Sequence, residues 1–153
     1  MLVSLQNLLK IGQLKEHTTD VEEVRRLLAA AERGLTDAGV KAITLETRFD
    51  AAYRAVTQIG LVMLLVHGFR TDTNRPGHHA TIIQTLPLTL GITNERMVVL
   101  DTLRRKRNLV DYTGEDIDDS SVSACLREGR TLLEEAHSWI RQHRPELAPD
   151  SRS

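Results

Sequence analysis

The chain has 153 residues, with 20 Lys and Arg against 21 Asp and Glu and a formal net charge of −1. That balance rules out nucleic-acid binding driven by overall charge, so any phosphate contact must come from a local basic patch. Aromatic residues are only 3% of the chain, which argues for packed helices over a sandwich or barrel, and the single cysteine, Cys125, rules out an internal disulfide or a thiolate metal cluster.

In chain order, Leu5, Leu8 and Leu9 predict a short amphipathic helix between Leu2 and Leu14, with Gly12 as its stop. Thr19 followed by Glu22 has the spacing of a capping box. Val21, Val24, Leu27, Leu28, Ala31 and Leu35 then make one apolar face that ends near Gly39. A longer helix is predicted from Leu45 to His67, with Phe49, Ala52, Tyr53, Val56, Ile59, Gly60 and Met63 inward and Gly68 stopping it. The stretch from Arg70 to Gly77 lacks periodicity and reads as a surface loop. A helix from His78 to Leu86 is expected to break or kink at Pro87.

The next helix starts at Thr93 or Asn94 and ends by Thr113–Gly114. The last begins after the acidic caps Asp118 and Asp119 and turns Val122, Cys125, Leu126, Leu132, Leu133, Ala136 and Ile140 inward, with Gly129 allowing close helix approach. Helical signals repeat and strand signals do not. The expected fold is all-α, an up-and-down bundle of four to five helices: 1–18 an N-terminal helical extension, 19–144 the bundle, and 145–153 a disordered tail. Neither end reads as a targeting signal. The longest apolar run, Ile59 to Val66, is far short of the roughly 20 residues of a membrane span, so a cytoplasmic protein with no membrane partner is expected.

The run Leu103-Arg104-Arg105-Lys106-Arg107-Asn108-Leu109-Val110-Asp111-Tyr112 carries the most chemical information. Met97, Leu100, Leu103 and Val110 recur at helical steps, and Arg107 stands where the next Leu of that stripe belongs. A guanidinium on a core-facing seam needs a carboxylate, a phosphate or a protein–protein cleft. Asn108, Asp111 and Tyr112 add hydrogen-bonding groups in the following turn and a half. The plainer alternative is a structural ion pair with Asp50 or Glu46. Arg104, Arg105 and Lys106 read as a solvated basic face offset by Asp101, Asp111, Glu115 and Asp116. Tyr53 reads as a core aromatic that joins the site if it points toward Arg107 across the bundle. His78 and His79, adjacent on a helix, diverge and make a poor metal set with His67. Cys125 has no activating His at a useful spacing, and no Gly-rich phosphate loop is present, so neither metal nor cofactor is expected.

Three segments in order, Arg48-Phe49-Asp50-Ala51-Ala52-Tyr53-Arg54-Ala55, then Gly77-His78-His79, then Arg107-Asn108-x-x-Asp111-Tyr112, resemble the HEPN superfamily over roughly Thr19 to His143. The resemblance implies a bundle that pairs with a second copy, its two Arg-bearing helices facing each other in a cleft. It also implies kinship with metal-independent ribonucleases found among toxins and anti-phage systems. In that motif an Arg and a polar residue are followed a few residues on by a His. Here Tyr112 occupies that place, and a phenol near pKa 10 is a poor substitute for an imidazole near 6.5 as a proton carrier. The site implied is Arg107, Asn108 and Tyr112 as the reacting set, supported by Asp111, Arg104, Asp50 and Tyr53, in an altered or inactive ribonuclease centre. The implied partners are a second copy, RNA or nucleotide phosphate, and an antitoxin. Two other readings remain: a non-catalytic partner subunit of a nucleotidyltransferase, and a structural oligomerising bundle.

Overall fold

A computed structural model describes residues 4–149, and the fold is built around one helix, α3 (Leu45–Val66). Its sequence is apolar on nearly every side, and fourteen of its residues from Arg48 to Val66 are buried. A helix of this kind must be covered all round. By length and composition α3 could cross a membrane, but 72% of its most apolar window is buried inside the protein, as in a core helix.

The covering helices are α2 (Val21–Ala38), α7 (Asp119–His143), α4 (His78–Gln84), α5 (Leu86–Thr89) and α6 (Asn94–Thr113). α2 buries Val24, Leu28, Ala31, Leu35 and Ala38, one residue every three or four, against α3. α7 lies against both and adds Val122, Cys125, Leu132, Ala136 and Ile140 to the same core. Close approach is set by two glycines. A Cβ on Gly129 would stand 2.6 Å from Leu35 Cδ2, and one on Gly60 would stand 2.5 Å from Ile82 Cγ2, so α7 and α4 ride directly on their neighbours. Buried Arg48 closes the other end of the α2–α3 hairpin by donating from Nε to the Ala38 carbonyl at 2.8 Å. That satisfies a carbonyl left open at a helix C-terminus.

The all-α expectation holds for the architecture, with one small exception. β1 (Leu14–Glu16) and β2 (Phe69–Thr71) form an antiparallel ribbon in which Leu14 faces Thr71 and Glu16 faces Phe69. The predicted loop from Arg70 therefore begins as strand. Leu14 and Phe69 join Leu64 and Ile82 in a second, smaller core, against which Leu5, Leu8 and Leu9 of α1 (Leu5–Lys10) pack. The N-terminal segment thus folds onto its own bundle. The part of the predicted first helix at Leu2 lies outside the described residues.

Three boundaries differ from expectation. The cap of α2 is one residue later than predicted: Asp20 accepts from the Glu23 amide at 2.8 Å, and Thr19 donates instead to Glu23 Oε1 at 2.6 Å. The aspartate wins because its charged oxygens are the stronger acceptors at the positive end of the helix. Pro87 does not simply end a helix; it occupies the first turn of α5, where its missing N–H costs nothing. The tail expected to be disordered from Pro145 instead makes a 3₁₀ turn over Pro145–Leu147, with Leu147 buried. Arg144 holds it by donating to the Val66 carbonyl at 2.5 Å. Residues 150–153 of that tail lie outside the described residues.

Candidate functional site

α6 is capped at both ends as its sequence predicts. Thr93 accepts from the Arg96 amide at 3.2 Å, and Gly114 takes the left-handed conformation at φ 70° that a glycine adopts freely. Between these caps only Leu100, Asp101 and Leu103 are buried. The apolar seam thins toward the end of α6, where Val110 still packs against the core but is only partly buried, which corrects the expectation of a guanidinium inside the core. Arg107 sits at the edge of the seam with its side chain 31% exposed. At this edge the charge is supported by partners and keeps water, so the full desolvation penalty is never incurred.

Its partners come from two helices. Arg107 Nε donates to Asp50 Oδ1 at 3.2 Å, and Asp111 Oδ2 lies 3.7 Å from Nη1. The guanidinium carbon stands 5.2 Å from the centroid of the Tyr53 ring, in cation–π position. One turn earlier, Arg104 donates from Nε to Asp101 Oδ1 at 2.9 Å, and Arg105 reaches Asp101 Oδ2 at 3.1 Å. Burial alone would raise the Asp101 carboxyl, but the Arg104 hydrogen bond and the two arginine charges outweigh it and hold the group below its ordinary range. Lys106 is directed elsewhere, donating to Asp118 at 2.6 Å and Ser121 at 2.9 Å at the start of α7. Among the described residues, Arg104 and Arg107 each hydrogen-bond through Nε alone; Arg107 Nη1 is also in ion-pair range of Asp111, which leaves its Nη2 and the Nη groups of Arg104 unspent.

Tyr53 forms the floor of this arrangement. The residue is 3% exposed, and burial pushes its hydroxyl up to about 12 despite the opposing charges of Arg104 and Arg107. It is a neutral phenol at physiological pH and serves as a ring surface. His79 of α4 also lies against it, ring centroids 6.1 Å apart and edge-on, with His78 a further 4.5 Å from His79. Burial lowers the His79 pKa, and the neighbouring His78, Arg107 and Arg104 lower it further.

The residues expected to form the site thus divide. Arg107, Arg104, Asp50, Asp111 and Tyr53 come together where α3 and α6 meet. Asn108 and Tyr112 do not join them; both are exposed, and Tyr112 is 90% so. They lie on the outer side of α6, where Val98, Thr102, Arg105, Leu109 and Tyr112 form an exposed stripe at alternating four- and three-residue steps. His79 is the member that sequence reading missed. Its histidine pair was read as a segment of the family resemblance and as a poor metal set, not as part of this site, and among the described residues no three or more His, Cys, Asp or Glu converge as a metal set. The useful signal was its position at the start of a helix predicted to follow a loop next to the Tyr53 helix. Cys125 plays no part: burial pushes its thiol up to about 12, which makes it inert. The chain matches no protein-family model, no curated protein and no solved structure.

Proposed function

We propose that this protein is a HEPN-like helical bundle that acts as a homodimer and binds RNA by its phosphates at the Arg104–Arg107 edge of α6, as part of a defence or toxin–antitoxin-type system, with a ribonuclease site altered from the family pattern. The observation that carries this reading is the pair of guanidiniums, one helical turn apart, each anchored by a carboxylate through Nε with outer nitrogens left over, Nη2 on Arg107 and both Nη groups on Arg104. Anchoring of this kind sets the direction of the fork and leaves its donors for an incoming phosphate oxygen. A basic edge on a chain of net charge −1 is also a local patch, the only kind of electrostatic footprint that this composition allows.

The dimer is supported by the outer stripe of α6. Val98, at 56% exposure, and Leu109, at 51%, fall in register with Tyr112 at the spacing of a helix–helix seam. Two such helices packed together would bury these side chains and leave the Arg104–Arg107 edge, which lies on the other side of α6, open to RNA on each protomer.

One observation favours a second reading. The Arg107–Asp50 contact is the structural ion pair that the sequence also allows, and in that reading the bundle is a scaffold. RNA binding followed by fluorescence anisotropy, with sedimentation on the same samples, separates the two. The RNA reading requires a dimer that binds a generic single-stranded RNA, at least tenfold loss of affinity in the Arg104→Ala/Arg107→Ala double variant, and monomers in Leu109→Asp. A wild-type protein that binds no RNA, or a double variant that binds as wild type, decides for the scaffold. If the wild type also captures a nucleotidyltransferase through the exposed Tyr112 edge, the partner-subunit reading takes its place.

A further inference from the structure

We propose that His79, supplied by α4 and not by α6, is the proton-accepting group of this phosphate site, so that the bundle cleaves RNA with an imidazole placed outside the motif helix. The inference rests on the phosphate-binding reading above and adds the group that would do the chemistry.

α6 carries no histidine, and its tyrosine, Tyr112, points into solvent at 90% exposure. His79 and Arg107 instead share a neighbour. The imidazole lies 6.1 Å from the Tyr53 ring centroid, and the Arg107 guanidinium carbon lies 5.2 Å from that same centroid. A phosphodiester held by the free nitrogens of Arg104 and Arg107 can, with its ribose, bridge from the guanidiniums to the histidine along the rim of a neutral phenol. His79 is exposed, so its proton exchanges with water between turnovers. The ionisable groups that face it are His78 on its own helix, Arg104 and Arg107 on α6, and Tyr53 on α3; Asp101 and Asp50 are turned to the two arginines. Partial desolvation, and after it these cations, lower the imidazole's pKa and favour the neutral form that a general base requires.

The step balances without metal or redox partner. Neutral His79 takes the proton of an RNA 2′-hydroxyl as that oxygen bonds to phosphorus, the bond from phosphorus to the 5′-oxygen breaks, and the leaving oxygen takes a proton from water. The hydroxide so formed accepts the proton from the imidazolium, which restores the base. The products are a 2′,3′-cyclic phosphate and a 5′-hydroxyl. The guanidiniums stabilise the charge on the phosphoryl oxygens in the transition state.

The experiment uses full-length protein, a single-stranded RNA oligonucleotide and EDTA, with binding and cleavage measured on the same preparations. Wild type should give 2′,3′-cyclic ends, with a rate that rises with pH below 6.5 and levels off above it. His79→Gln should lose at least a hundredfold in cleavage while its RNA affinity stays within threefold. Free imidazole should restore part of the rate to His79→Ala. Cleavage by His79→Gln at the wild-type rate, or a wild type that binds RNA without cutting it, overturns the role of His79 and leaves the phosphate reading standing. A wild type that binds no RNA overturns both.

Discussion

The Arg107 guanidinium stands over the Tyr53 ring, 5.2 Å from its centroid, and is tied at 3.2 Å to Asp50 one turn before that tyrosine on α3. Two residues three apart on one helix thus hold one cation from a second helix, by charge and by ring face. With Asp50 56% exposed and Arg107 31% exposed, the ion pair is worth little to stability, about 0.2–1 kcal/mol. Its consequence is orientation. The fork is aimed while the protein gains almost nothing in folding free energy, so its removal tests function without unfolding the bundle.

The cap of α2 is assigned to Asp20 by its 2.8 Å bond to the Glu23 amide. Asp20→Ala should lower stability by about 1 kcal/mol, the ordinary loss for an N-cap. Glu22→Ala, which under the Thr19 register would break a capping box, should change stability by less than half of that. Urea midpoints of the two variants give the comparison.

Gly60 and Gly129 look alike in sequence but differ in what a methyl group would strike. At Gly60 it meets the branched Cγ2 of buried Ile82, with the Ile82 carbonyl 3.4 Å away; at Gly129 it meets the terminal Cδ2 of Leu35, which can rotate aside. Overpacking costs roughly 1–3 kcal/mol, and Ala regains up to about 1 kcal/mol of helix propensity over Gly. Gly60→Ala should therefore destabilise the protein measurably in thermal denaturation, and Gly129→Ala should fall close to wild type.

Asp101 is held by Arg104 and Arg105 with its side chain only 11% exposed. Its carboxyl is depressed in the folded protein relative to the ordinary value of 3.8, so it adds stability above that value, and the contribution fades as pH falls through the lower folded pKa. Asp101→Asn should cost about 1.5–3 kcal/mol at pH 7, the range for hydrogen bonds to a charged group. The gap between variant and wild type should narrow in acid below pH 3.8. A gap that stays constant with pH would show that the arginine contacts do not depend on the carboxylate charge.

Much of this architecture is legible in the chain because long helices repeat their signal. α6 follows Thr93 and closes at Gly114, and α7 follows Asp118, as the cap residues predict. The β1–β2 ribbon was not legible, since strands of three residues are too short to display alternation. Pro145–Leu147 failed for a related reason: one buried leucine in a polar stretch carries no period. At the site, Asp50 was readable as a partner of Arg107 because an inward cation demands an acid. His79 was not, because its position beside Tyr53 depends on how α4 crosses α3, and helical periodicity says nothing about crossings. The exposure of Tyr112 was hidden likewise: the stripe through Arg107 and the stripe through Tyr112 belong to different sides of one helix, and only packing shows which is covered.

The central claim is that the free nitrogens of Arg107 meet RNA phosphate, and the salt dependence of binding tests it most directly. Affinity of wild type and Arg107→Gln for one single-stranded RNA, measured over a range of salt concentrations, gives two slopes of log affinity against log salt. Loss of one phosphate contact should flatten the slope by about 0.7 in the variant. Equal slopes for the two proteins would mean that Arg107 touches no phosphate and serves only as the partner of Asp50.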